Sequence, residues 1–201
     1  MAEVPVGVPE EAVRGYARWL AEREQEMIDM LAALVNFDTP SSRKDLLDTA
    51  MSSVEATCRA TGAQVERVEQ QEAGDHLVAR WPGRGESAPT VLVLAHLDTV
   101  WPADETSRRP FAQEEGKLTG PGVFDMKAGL VQGLFAIGAF KEGASGGSCN
   151  VTLIVSSDEE TGSRSSRKLI EAEAARSQVV LVVEPASGPK LKTARKGVGM
   201  Y

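Results

Sequence analysis

The second half of this 201-residue chain predicts an α/β fold: a mostly parallel mixed sheet flanked by helices. Three observations carry that reading. TVLVLA at 90–95, NVTLIV at 150–155 and VVLVV at 179–183 are apolar, β-branched runs, as expected of strands buried on both faces. Helical stretches at about 126–141 and 162–175 separate them, giving strand, helix, strand, helix, strand. Polar residues follow each run at once, which is where open parallel sheets build their sites.

The elements can be taken in order. One amphipathic helix is predicted over 1–35, with its regular part from Pro9. Val13, Tyr16, Leu20, Met27, Leu31 and Leu34 recur at helical spacing between charged residues. Pro9 suits a first turn, and NFDTPSS at 36–42 ends the pattern with turn formers. A second helix over 44–60 carries Leu47, Met51, Val54 and Cys58, with Gly62 as its stop. Residues 64–69 and 76–81 read as short strands, 82–89 as a polar turn, and GASGGS at 143–148 as a surface linker.

Composition excludes several classes. There are 22 Lys and Arg against 29 Asp and Glu, a net charge of −7, and the basic residues are scattered, which argues against a nucleic-acid surface. No apolar run reaches the roughly 20 residues of a membrane span. The first residues lack a basic stretch followed by an apolar one, so no secretory signal is read and a cytoplasmic setting is expected. Cys58 and Cys149 have no ribbon or disulfide-framework spacing. A serine hydrolase is disfavoured by the absent GxSxG turn and by a histidine count of two.

The chemistry-bearing residues sit at the predicted strand ends. His96 follows the first run, and Asp98 two positions on can lie on the same side and fix its tautomer. Asp125 lies in GPGVFDMKAG at 120–129, before the first crossover helix. Glu159 and Glu160 follow the second run in SSDEETGS at 156–163, and Glu184 follows the third. Adjacent carboxylates in an extended loop point different ways, so one can hold a cation while its neighbour faces a water. One imidazole with several carboxylates suits zinc, with cobalt or manganese as alternatives, and fits two cations sharing a carboxylate.

HLDTV, GPGVFDMKAG, SSDEETGS and VVEPASG, in this order, resemble the co-catalytic di-zinc metallopeptidases. That family includes glutamate carboxypeptidase of the carboxypeptidase G type, aminoacylase and succinyl-diaminopimelate desuccinylase. The resemblance implies two zinc ions. His96 and Glu184 would hold one, Glu160 the other, and Asp125 would bridge them. Glu159 would be the general base and then the general acid, Asp98 would orient His96, and the Asp125–Met126 peptide would be cis. It also implies cleavage of an amide next to a free carboxylate in a small peptide or N-acyl amino acid, with no nucleic acid or membrane partner.

On that pattern, 36–195 is the N-terminal part of the catalytic domain and 196–201 begins the connection to a lid and dimerisation domain. The ARKG at 194–197 adds to the likeness to the glutamate carboxypeptidase branch. The lid, the homodimer it supports and a last histidine ligand fall beyond Tyr201, so the second zinc site is expected to be incomplete. A chain made as written is expected to be inactive, poorly stable or aggregation-prone, with a sheet edge left unpaired. The competing expectation is an inactive fragment or a metal-free binding module on the same fold. His76, upstream of the motifs, is expected to be structural.

Overall fold

The computed structural model describes residues 9–85, 87–143, 148–186, 188 and 192–193. The ARKG motif, most of GASGGS and the 196–201 connection lie outside them. The predicted N-terminal helix is two helices, α1 (Glu10–Ala21) and α2 (Glu24–Val35). No glycine or proline breaks it. Instead Arg23 folds back over the Trp19 ring at 3.9 Å and donates to the Trp19 carbonyl, which competes with helix continuation. The break lets the two segments do different work: α1 buries no residue fully, whereas α2 buries Leu31, Leu34 and Val35.

α3 (Lys44–Ala60) buries Leu47, Ala50, Met51, Val54 and Cys58, and leads into β1 (Gln64–Val68) and β2 (His76–Trp81). Then come β3 (Thr90–His96), the short α4 (Glu105–Arg108), and a small hairpin of β4 (Ala112–Glu114) and β5 (Lys117–Thr119). An irregular turn over Val123–Lys127 enters α5 (Ala128–Glu142), followed by β6 (Asn150–Ser156), α6 (Arg167–Ala174) and β7 (Val179–Val182).

The main sheet has the order β1-β2-β6-β3-β7. β3 is parallel to both β6 and β7, whereas β2 is antiparallel to β6 and to β1. Strand alternation splits the core between two faces. Leu77, Ala79, Val93, Ala95, Leu153 and Val155 pack with α2, α3 and α5, while Val78, Leu92 and Ile154 pack against Leu169, Ile170 and Ala174 of α6. β7 lies at the sheet edge, and all four of its residues, Val179–Val182, are 41–59% exposed, so the third apolar run is not buried on both faces as its composition predicts.

The stretch Val123–Glu142 is long and apolar enough to cross a membrane by length and composition, which the sequence reading did not anticipate. In the fold its first turn is broken by non-helical backbone at Asp125 and Met126, and α5 buries Leu130, Val131, Leu134 and Ile137 in the main core. It is the central crossover helix between β3 and β6.

The helix expected over 162–175 forms only from Arg167. Before it, Glu159–Thr161 makes one 3₁₀ turn. Gly162 and Ser163 take left-handed backbone (φ 93° and 52°), which a continuous helix excludes, and Asp158 accepts the N–H groups of Ser165 and Ser166 in the turn that follows.

Candidate metal centre

β3, β6 and β7 run parallel, so their C-terminal ends lie at one edge and deliver His96, the 157–165 loop and Glu184 to the same place. The turn entering α5 adds Asp125 from the helix side. Its Asp125–Met126 peptide is cis. His96 Nε2 lies 3.2 Å from Asp125 Oδ1, 3.2 Å from Glu184 Oε1 and 3.8 Å from Glu159 Oε2. Ligand atoms of His96, Asp125 and Glu160 lie within 4.8 Å of one another, and so do those of His96, Glu159 and Glu184. The three expected carboxylate ligands and the expected base therefore converge on the imidazole of the fourth, His96. Glu159 stands as near the His96 and Glu184 side of the cluster as a ligand would.

Asp98 is fully buried, but its carboxylate is not chiefly a partner of His96. The nearer acceptor for His96 Nδ1 is the Asp98 backbone carbonyl at 3.0 Å, against 3.4 Å for Oδ1. The carboxylate accepts the Ser41 hydroxyl at 2.7 Å and the backbone N–H groups of Glu159 and Glu160 at 3.2 and 3.1 Å. It thus holds the acidic loop, while its own backbone orients the imidazole.

Burial alone would push the His96 pKa down; the Asp98 and Glu184 carboxylates outweigh it and hold it at about 11. Glu159 is pushed above the usual carboxylate range, first by burial and then by Glu184, Asp98 and Asp125 against the pull of His96. Glu160 is raised too, by burial and then by Asp125. Among the described residues no Lys or Arg pairs with Asp125, Glu159 or Glu160. The donor set therefore fits a divalent cation: one imidazole, several oxygens and unbalanced negative charge.

Several contributors were not read from the sequence. The 36–42 segment, expected only to end a helix, straps the site. Thr99 N–H donates to the Thr39 carbonyl, Ser41 reaches Asp98, and the buried Lys127 ammonium donates to the Phe37 carbonyl at 2.8 Å. Burial pushes Lys127 down to about 8. Gly129 is a second case: a Cβ there would meet the Val183 carbonyl oxygen at 1.9 Å, so only glycine lets α5 pass beside the residue preceding Glu184. Its place in DMKAG is the one sequence signal that marked it.

Residues 92–199 match the pattern of Peptidase family M20/M25/M40. Carboxypeptidase G2 of a Pseudomonas species is 31% identical over 181 residues, a span of 88% of this chain and 43% of that protein. Succinyl-diaminopimelate desuccinylase of Rhodospirillum centenum is 30% identical over 164 residues, 74% of this chain and 42% of that one. The chain thus spans less than half the length of these curated relatives.

Among solved structures, human carnosine dipeptidase 1 superposes with a TM-score of 0.69 at 21% identity, covering 84% of this chain and 40% of its own. An M20 family metallo-carboxypeptidase from Sulfolobus solfataricus gives 0.65 at 20% identity, covering 78% and 37%. At such identities the likeness is one of fold, and the fold is the mixed, helix-flanked sheet described above. Sequence pattern, relatives and sheet agree, and the chain belongs to peptidase family M20/M25/M40.

Proposed function

We propose that this chain carries the metal-binding half-site of an amide hydrolase acting next to a free carboxylate, on a small peptide or an N-acyl amino acid. The observation that supports it most is the convergence of His96, Asp125, Glu159, Glu160 and Glu184 without a paired Lys or Arg on Asp125, Glu159 or Glu160. His96, Asp125 and Glu184 would hold one divalent cation, zinc by preference, and Asp125 with Glu160 a second, which these residues hold with carboxylates alone. Bound there, the cations supply charge that polarises the scissile carbonyl and acidifies the attacking water.

The chain's own residues supply the rest. Glu159, its pKa raised above the usual carboxylate range by burial, takes the proton from the attacking water and returns it to the leaving nitrogen. Asp98 fixes the loop that carries it. The names of the relatives, a carboxypeptidase and a desuccinylase, favour a substrate with a carboxylate beside the scissile amide. Two unpaired thiols, Cys58 and Cys149, fit the cytoplasmic setting expected from the sequence. We take residues 36–195 as catalytic-domain sequence and infer that they do not by themselves form the homodimer.

The test is zinc-dependent release of glutamate from N-acylglutamates by the chain, with Glu159→Gln beside it. The proposal expects any turnover to need zinc and to vanish in the variant. Turnover that survives either change, or a chain that takes up no zinc, contradicts it.

A further inference from the structure

We propose that His76 is a positioning residue that ties together the two ends of the 157–165 loop and thereby fixes Glu159 and Glu160. This rests on the reading of Glu160 as a cation ligand and Glu159 as the base. His76 is completely buried and opens β2. Because β2 runs antiparallel to β6, with Leu77 opposite Val155, its first residue lies beside the end of β6, where the acidic loop begins. A parallel neighbour would have put its first residue at the opposite edge of the sheet.

The hydrogen bonds around the ring have a direction. Ser157 N–H donates to His76 Nδ1 at 3.3 Å, so Nδ1 is an acceptor and the ring proton sits on Nε2. Nε2–H then donates to Ser165 Oγ at 3.0 Å. The Ser165 hydroxyl donates to Asp158 Oδ2 at 2.7 Å, and the same oxygen accepts Ser165 N–H at 2.7 Å. Ser157 and Ser165 are the first and last residues of the loop, and one imidazole holds both. Asp98 grips the middle through the amides of Glu159 and Glu160.

The Ser157 hydroxyl also lies 3.2 Å from Nδ1 and gives its own proton to the Gly74 carbonyl, so the acceptor role of Nδ1 rests on the Ser157 N–H. A proton on Nδ1 would face that N–H, so the network needs a neutral ring. Burial favours that state by lowering the His76 pKa, against the pull of Asp158, Asp75 and Asp98. An apolar side chain of the same size would fill the space yet leave the buried Ser157 N–H without its acceptor. The ring therefore does more than pack.

The experiment uses the whole chain, wild type and three variants: His76→Leu, His76→Gln and Ser165→Ala. Three quantities are read: the His76 tautomer by long-range proton–nitrogen NMR, amide exchange at Glu159 and Glu160 relative to β3, and zinc affinity checked by the cobalt absorption spectrum. The wild-type ring is expected to carry its proton on Nε2. His76→Leu is expected to speed exchange of the two amides about tenfold over β3 and to weaken zinc binding about tenfold, the cost of losing the outer support of a metal ligand. His76→Gln, which keeps a donor toward Ser165, should recover part of both.

A proton on Nδ1, or a folded His76→Leu with unchanged exchange and unchanged affinity, overturns the proposal. If His76→Leu does not fold, Ser165→Ala is read by the same criteria. A wild type that binds no zinc refutes the metal reading alone, because tautomer and exchange still decide the role of His76.

Discussion

Two acid-rich clusters face the same edge of the sheet and are balanced in opposite ways. Before β2, Asp75 joins Asp48 and Glu55 around two cations. Lys44 bonds Asp75 and Asp48, and Arg67 reaches Asp75 at 3.2 Å, Glu55 at 3.3 Å and Asp48 at 3.6 Å. Burial alone would raise the Asp75 pKa, but Lys44, the Gln70 N–H and Arg67 bring it below the usual carboxylate range. At the ends of β3, β6 and β7, five carboxylates surround a single imidazole, and Glu159 and Glu160 are raised instead. The first cluster is complete within the chain and serves stability. The second is left short of positive charge, and that shortage is what a site for imported cations looks like.

The sharpest break between the two comes from chemistry. In any zinc-dependent turnover of an N-acylglutamate, Glu159→Gln should cut the rate by about 10²–10⁴-fold while zinc affinity holds or rises. Asp75→Ala should leave zinc binding alone and lower the unfolding free energy by roughly 1–2 kcal/mol in urea titration, because Lys44 and Arg67 keep only Asp48 and Glu55 and the Gln70 N–H loses its acceptor. Glu160→Gln should do the reverse. It leaves the metal-free chain as stable or up to about 1 kcal/mol more stable, since it removes a crowded charge, and it weakens the response to zinc.

A steric change probes the same contrast from the backbone. Gly129→Ala should lower stability by about 1–3 kcal/mol, because Val183 must move, and should shift Glu184 away from His96, so that zinc affinity falls further than stability alone explains. The smallest effect is in the pH dependence. The folded Asp75 pKa is depressed, so its contribution is present above about pH 3.9 and fades as pH falls through its folded value. Glu160 is raised, so its contribution is present below about pH 4.3 and is lost as pH rises through its folded value. In metal-free protein, Glu160→Gln should therefore lead wild type at pH 7, with the gap closing toward pH 4.

How much of this was legible in the sequence follows from range. The runs that became β3 and β6 are apolar because they are largely covered on both faces, so local composition revealed them; that of β7 reads the same way although all four of its residues are exposed. His96, Glu160 and Glu184 follow those runs, so the parallel topology brings them together, and Asp125 joins them from the turn that opens the crossover helix. The antiparallel half was different. Nothing local says that His76 meets Ser157 and Ser165, since that contact depends on the pairing of β2 with β6. Likewise, Ser41 reaches Asp98 across 57 positions. The break between α1 and α2 escaped because it comes from Arg23 folding over Trp19, with no residue that breaks helices by itself.

The central claim, that the second cluster is a cation site, is tested most directly by titrating zinc into the metal-free chain by calorimetry, with Asp125→Asn in parallel. The account predicts saturable binding to the wild type, proton release as the ion displaces the proton that His96 holds up to about pH 11, and loss of binding in the variant. No heat of binding in the wild type, or equal binding in Asp125→Asn, would contradict it.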